Sequence, residues 1–119
     1  MKIAISCQGN DLNGDIDPRF GRAKGFLVCD TDADTQEYID NTQNLNAAQG
    51  AGIQSAQNVA ATGATAVITG HVGPKAFTAL DKGSIKIYLI GGGTVAEALA
   101  SFKDGKLEAA EDADKPGHW

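Results

Sequence analysis

The sequence predicts an α/β protein built on a mixed five-stranded sheet with helices on both faces. Three observations carry that expectation. Up to Asn41, apolar residues fall in short β-rich runs separated by Gly-, Asn- and Asp-rich loops. From Ala47 the apolar period becomes helical, and from Ala64 onward strand-like and helix-like stretches alternate with Gly or Pro between them. The chain has 119 residues, near the mode for one domain, so a single core is expected. That domain is placed at residues 1–107, with an acidic tail over 108–119. Hydrophobic residues make up 42% of the chain but aromatic ones only 6%, so Ala, Val, Ile and Leu must build the core.

The elements follow in order. Met1–Cys7 sets Ile3, Ile5 and Cys7 against Lys2, Ala4 and Ser6, a weak period of two that reads as an opening strand. The loop QGNDLNGDIDPRFGRA comes next, where Pro18 excludes a central strand. Gly25–Asp30 (GFLVCD) is a nearly continuous apolar run suited to a buried strand. DTDADTQ reads as a turn and Glu37–Asn41 as a third strand, and such close spacing favours antiparallel pairing. Ile53, Ala56, Val59 and Ala60 then recur at helical spacing, with Gly63 as a natural stop. Ala64–Gly70 is the fourth strand. Pro74 suits the first turn of a second helix, which carries Phe77 and Leu80 and ends at Lys82-Gly83. Lys86–Ile90 is the fifth strand, and Val95, Leu99 and Phe102 mark a third helix. The second half is therefore a β-α-β unit with parallel strands, and the front three strands pair antiparallel. The combination is a ribonuclease-H-like, three-layer arrangement.

Charge and composition exclude several functions. Ten Lys and Arg against 15 Asp and Glu leave a net charge of −5, so a phosphate backbone is repelled and no nucleic-acid partner is expected. No apolar run approaches the ~18 residues of a membrane span, and the start turns polar too early for a signal peptide. A cytoplasmic protein with no membrane partner is the expectation. Cys7 and Cys29 form neither a disulfide framework nor a zinc site, and read as small buried hydrophobes. There is no Gly-x-Ser-x-Gly elbow, no Walker A loop and no second histidine placed for a triad. A two-metal nuclease needs several carboxylates at the strand ends, where the later loops offer glycines and His71. No enzyme is expected.

Ligands of such sheets sit beyond the carboxyl ends of the parallel strands. Four segments fall there: the loop after the first strand, Gln49-Gly50-Ala51-Gly52, Gly70-His71-Val72-Gly73 and Gly91-Gly92-Gly93-Thr94. The last three are glycine-rich and each precedes a helix, whose free N–H groups and partial positive charge suit an anion. Arg19, Arg22 and Lys24 lie within six residues, and no further Lys or Arg follows until Lys75. The arginine fork suits multidentate anions; the alternative is a solvated loop that offsets Asp11, Asp15 and Asp17. His71, between two glycines at the same end, is either a ligand-facing imidazole or a structural one. His118 is incidental.

These same segments carry a family resemblance. Asp17-Pro18-Arg19-Phe20-Gly21-Arg22-Ala23, the Gly50-Ala51-Gly52 helix start and Gly70-His71-Val72-Gly73-Pro74-Lys75-Ala76 resemble three signatures of the dinitrogenase iron–molybdenum cofactor biosynthesis family, which includes NifX, NafY and the C-terminal part of NifB. The similarity runs from Met1 to about Leu107, and the Asp-Pro-Arg-Phe-Gly-Arg segment is its most specific part. Within the family the chain looks most like the branch of sulfate-reducing bacteria associated with a molybdenum–copper sulfide cluster held without covalent attachment.

The resemblance implies a ribonuclease-H-like fold and a carrier role with no reaction catalysed. Arg19, Arg22 and Lys24 would offset the cluster's charge. Backbone N–H groups of Gly50, Ala51, Gly52, Gly73, Gly92, Gly93 and Thr94 would donate to its sulfides, and Ile53 and Val72 would supply apolar walls. Many relatives carry a histidine just before the Gly-x-Gly helix start, where this chain has Gln49. That leaves His71 as the obvious imidazole; sulfur of Cys7, at the end of the first strand, could meet copper, but neither Cys7 nor Cys29 is expected to be an obligatory ligand. The alternatives are an iron–molybdenum or iron–sulfur cluster carrier, working with a cluster-donating or cluster-receiving protein, and an acidic module docking basic partners through Asp30, Asp32, Asp34, Glu37, Asp40 and the tail.

Overall fold

A computed structural model describes residues 1–42 and 50–113. The predicted helix onset at Ala47, and Gln49 and His118, lie outside the described residues. The chain forms β1 (Lys2–Cys7), β2 (Gly25–Asp30), β3 (Thr35–Asp40), α1 (Ala51–Ala61), β4 (Ala66–Thr69), α2 (Pro74–Lys82), β5 (Lys86–Leu89) and α3 (Val95–Lys103). The sheet order is β3-β2-β1-β4-β5. β2 runs antiparallel to β1 and β3 antiparallel to β2, while β4 pairs parallel with β1 and β5 parallel with β4. The mixed sheet is the one the sequence predicts. β3 starts two residues before Glu37, because Thr35 and Gln36 extend the ladder opposite Asp30 and Cys29. The turn before it is drawn tight by the Asp30 carboxylate, which accepts from the Asp32 and Ala33 amides at 3.0 and 3.3 Å.

The period of two sorts the core into two layers. Ala4, Phe26, Val28, Val67 and Ile87 face α1 and α2, which contribute Ala56, Val59, Ala76 and Leu80. Ile3, Ile5, Cys7, Leu27, Cys29 and Ile68 face α3, which contributes Val95, Ala98 and Leu99. Each fully buried aliphatic side chain contributes roughly 1.5–3 kcal/mol, so both layers hold the sheet. Pro74 occupies the first turn of α2 and Gly83 caps its end. α3 starts at Thr94 with a capping box that its own Glu97 completes.

The segment read from the sequence as a loose tail begins instead as a partner of β5. Ala109 bridges Tyr88, and the Ala110 amide donates to the Ile87 carbonyl at 2.7 Å. No helix among the described residues is long and apolar enough to cross a membrane. With β1, β4 and β5 parallel, their carboxyl ends open on one edge of the molecule, and residues 8–24 fold back over it.

Candidate functional site

That long connection is tied down residue by residue. The Gln8 amide donates to the Asp15 carbonyl, and the Asp17 amide to the Ser6 carbonyl, both at 2.9 Å, so the chain returns antiparallel alongside the end of β1. The buried Ser6 hydroxyl lies 2.6 Å from the Asp17 carbonyl and 2.8 Å from the Thr69 hydroxyl. The Asp17 side chain then turns the backbone: its Oδ1 accepts from the Arg19 amide at 3.0 Å and lies 3.9 Å from the Arg19 Nε. Pro18 between them has no N–H to satisfy. Phe20 is fully buried against Phe26, ring centroids 5.3 Å apart, and anchors the loop in the core. Its amide donates to the His71 carbonyl at 3.2 Å, and Arg19 pairs with His71 as a short parallel bridge.

A cleft of about 360 Å³ opens where these strands meet the loop. Ile16 and Pro18 form one side, Gly70 and His71 the floor after β4, and Leu89 to Gly92 the side after β5. Gly70 is required by contact, since a Cβ there would stand 2.8 Å from both the Cα and the carbonyl oxygen of Pro18. Gly92 and Gly93 are required by conformation, with φ of 144° and 104°. The Gly93 carbonyl accepts from the Ile16 amide at 3.0 Å and Asp15 bridges Thr94, which fixes the β5 side to the loop.

The predicted residues divide into three groups. His71 and Gly92 line the cleft, and Arg19 is joined to it through its main-chain bridge to His71. Arg22, Lys24 and the start of α1 lie along the same edge but do not line it. Lys24 is exposed near Asp40, whose carboxyl is held below its ordinary value chiefly by the Thr42 amide and less by Lys24. Gly50 enters α1 with φ 79° and open space around it, whereas a Cβ on Gly52 would stand 3.0 Å from the Ala76 Cβ, so the glycine lets α1 approach α2. Ala51 is buried, and Ile53 is exposed in a separate groove beside Pro74 and Lys75. The third group is spent on structure. Val72 is fully buried in the layer under α1 and α2, and Gly73 is the extended cap of α2. Thr94 caps α3: its amide and hydroxyl lie 2.9 and 3.1 Å from Glu97 Oε1, and its Oγ1 accepts from the Glu97 amide.

Cys7 points into the α3-side layer, its Sγ 3.6 Å from the Gly25 carbonyl. Burial pushes its thiol up to about 11, and burial raises Cys29 as well. Both are neutral thiols at physiological pH, and the thiolate is the metal-binding form. Among the described residues no group of three His, Cys, Asp or Glu side chains could hold a metal ion. The edge offers cations, imidazole and backbone donors, which suits an anion that brings its own metal ligands.

Sequence reasoning missed Asp17, Phe20 and Glu97 as site-forming residues, and the buried pair Asn41 and Ser55. The first two lie inside the Asp-Pro-Arg-Phe-Gly-Arg run, where a carboxylate two residues before an arginine amide is a visible turn signal. Thr94-x-x-Glu97 is a legible capping box. Asn41 and Ser55 left no local signal, because their partners are distant in the chain.

A β3-β2-β1-β4-β5 sheet flanked by three helices, with a cleft at the carboxyl ends of its parallel strands, defines a ribonuclease-H-like α/β protein. The family model described as dinitrogenase iron-molybdenum cofactor matches residues 1–105, and the chain belongs to that family. Among solved structures it is similar to the apo form of the orange protein from Desulfovibrio gigas, with 43% identity, a TM-score of 0.93 and 96% of each chain covered. It is also similar to a candidate NifB protein from Thermotoga, at 34% identity, a TM-score of 0.86 and 98% of each chain. An uncharacterized protein of Methanocaldococcus jannaschii shares 32% identity over 114 residues, covering 93% of this chain and 92% of that one.

Proposed function

We propose that this chain is a non-covalent carrier of a metal–sulfur cluster, most specifically a molybdenum–copper sulfide of the thiomolybdate type, and catalyses no reaction. The observation that carries the reading is an apolar and glycine-lined cleft with His71 on its floor, beside which the main chain of Arg19 is bridged to that of His71. Membership of a family named for the iron–molybdenum cofactor and the likeness to the orange protein supply the cargo's chemistry. A volume of about 360 Å³ falls within the range of small-molecule sites.

The physical fit is specific. A thiometallate is a bulky anion with soft sulfide edges that already carries its sulfur ligands, so the protein needs no thiolates, and both of its thiols are buried. Arg19 offers a charged fork and His71 an imidazole. Leu89, Ile90 and Ile16 offer apolar contact to polarizable sulfide. Arg22, Lys24 and the uncapped starts of α1 (Gly50 to Ile53) and α2 (Val72, Gly73) raise the potential along this edge of a chain of net charge −5. Gly92, Gly93 and Thr94 shape the β5 side. The partner of such a carrier is a protein that donates or receives the cluster, in the cytoplasm.

The test is anaerobic reconstitution of apo-protein with tetrathiomolybdate and copper, then desalting, visible spectroscopy and metal analysis. Iron with sulfide, and tetrathiomolybdate alone, run in parallel. Retained Mo and Cu at a fixed ratio with little iron is the expected result. Retained iron would move the chain to the iron–molybdenum side of its family, and retention of neither would end the carrier reading. In the double variant Arg19→Glu/Arg22→Glu, retention should vanish with the fold intact; unchanged retention would remove the cleft from consideration.

A further inference from the structure

We infer that Asn41 and Ser55 form a buried latch that positions the Arg19–Lys24 segment, and Arg22 above all, against the first turns of α1. The inference rests on the carrier reading for its purpose, although the latch is defined by geometry alone. Both residues are completely buried, on the side of the sheet where most neighbours are apolar. A buried amide or hydroxyl costs stability unless it is paired, and here the pairing goes to one short stretch of main chain. The Asn41 Nδ2 donates to the Ala23 carbonyl at 2.9 Å and lies 3.1 Å from the Ser55 hydroxyl. The Ser55 Oγ lies 3.2 Å from the Gly21 carbonyl and 3.3 Å from the Asn41 Oδ1. The Asn41 amide donates to the Lys24 carbonyl at 2.9 Å, and the Asn58 Nδ2 holds the Asn41 Oδ1 at 2.9 Å.

The acceptors are thus the carbonyls of Gly21, Ala23 and Lys24, which bracket Arg22. These three residues precede β2, where no sheet ladder holds them, except that Lys24 adjoins its first residue. At the other end the segment is fixed by the Phe20 amide on the His71 carbonyl. The stretch is therefore clamped twice, once to the cleft through His71 and once to α1 through Ser55. Ser55 stands one helical turn beyond Ala51 on α1, so the latch sets the half-buried Arg22 at a fixed distance from that helix start. An arginine held in place loses less freedom on meeting an anion than one on a mobile loop. Asn41 and Ser55 act through the main chain of the cationic segment, as positioning residues.

The test compares Ser55→Ala with Thr62→Ala. Thr62, the C-terminal cap of α1, also donates from its hydroxyl, to the Val59 carbonyl at 2.6 Å, but none of its hydrogen bonds goes to the cationic segment. Amide hydrogen exchange on the apo-protein, measured alongside thermal stability, reads the latch directly. Ser55→Ala should raise exchange about tenfold at the Asn41 and Ala23 amides, which donate to the Lys24 and Phe20 carbonyls, the scale of one lost buried hydrogen bond, with Thr62→Ala leaving those amides unchanged. Reconstitution with tetrathiomolybdate and copper should then show several-fold weaker retention in Ser55→Ala alone. If Ser55→Ala leaves exchange at those amides unchanged, the latch is overturned. If both variants lose retention equally for equal stability loss, its positioning role is overturned. A wild-type protein that retains no cluster would sink the carrier reading, and the exchange result would still decide whether the latch fixes the segment.

Discussion

The starts of α2 and α3 look alike in sequence and differ in what they leave for a ligand. Each follows a parallel strand and a glycine-rich turn, Gly70 to Gly73 in one case and Gly91 to Thr94 in the other. α3 is closed at its N-terminus from two sides: the Val95 and Ala96 amides donate to the Gly14 and Leu12 carbonyls of the long loop, both at 2.9 Å, and a capping box completes the turn. Thr94 and Glu97 satisfy each other's amides, and a carboxylate sits where an incoming anion would go. α2 has Ala76 at the position equivalent to Glu97, and its cap Gly73 makes no side-chain bond. Glycine content does not separate the two. The residue three positions into the helix and the loop laid over α3 do, because the capping box and the Leu12 and Gly14 carbonyls together meet the first-turn donors of α3.

The comparison can be broken most severely at Gly70. Gly70→Ala places a methyl group against Pro18 main chain closer than van der Waals contact allows. A loss of about 3 kcal/mol is expected by chemical denaturation, as for other overpacked sites, with cluster retention lost as the Arg19–His71 bridge shifts. Gly92→Ala tests conformation in place of contact: a Cβ there meets nothing within 4 Å, but φ is 144°. It should cost about 1–3 kcal/mol. A stability equal to wild type would show that the β5 side can re-form without its glycine. Thr94→Ala should cost about 1 kcal/mol in thermal unfolding, with the Val95 and Ala96 amides still held by the Gly14 and Leu12 carbonyls. The smallest effect is in acid. The Thr94 amide and hydroxyl hold Glu97 below its ordinary value of 4.5. Its contribution is therefore complete above about pH 4.5 and fades as pH falls through the lowered value. Glu97→Gln should flatten that part of the pH–stability curve, and an unchanged curve would rule out the capping contact as its source.

Most of the fold was legible because the sheet writes itself in periods of two and the helices in periods of 3.6. Ile3, Ile5 and Cys7 facing one layer and Ala4 the other is the alternation seen in the bare sequence. The β3 start was missed because Thr35 and Gln36 are exposed polar residues that join the strand only through pairing with β2. Near the cleft, charge clustering singles out Arg19 and glycine spacing singles out His71, but the main-chain bridge between them is written in neither signal. Val72 misled for the opposite reason: a β-branched residue beside a glycine loop can wall a pocket or fill a core, and here the core takes it whole. Asn41 and Ser55 escaped because long-range hydrogen bonds leave no spacing behind; Ser55 lies 34 residues from its Gly21 partner.

The contact between residues 109–110 and β5 changes what the end of the chain is for. A terminal strand presents a row of unmet donors and acceptors, and another molecule's strand can extend the sheet there. Ala109 and Ala110 occupy that row at Tyr88 and Ile87. The acidic residues that follow, Glu111 and Asp112, then stand guard over the seam with like charge. A chain shortened to Leu107 would keep its core residues but lose its hem, leaving a border of the fabric open for other copies to be stitched on.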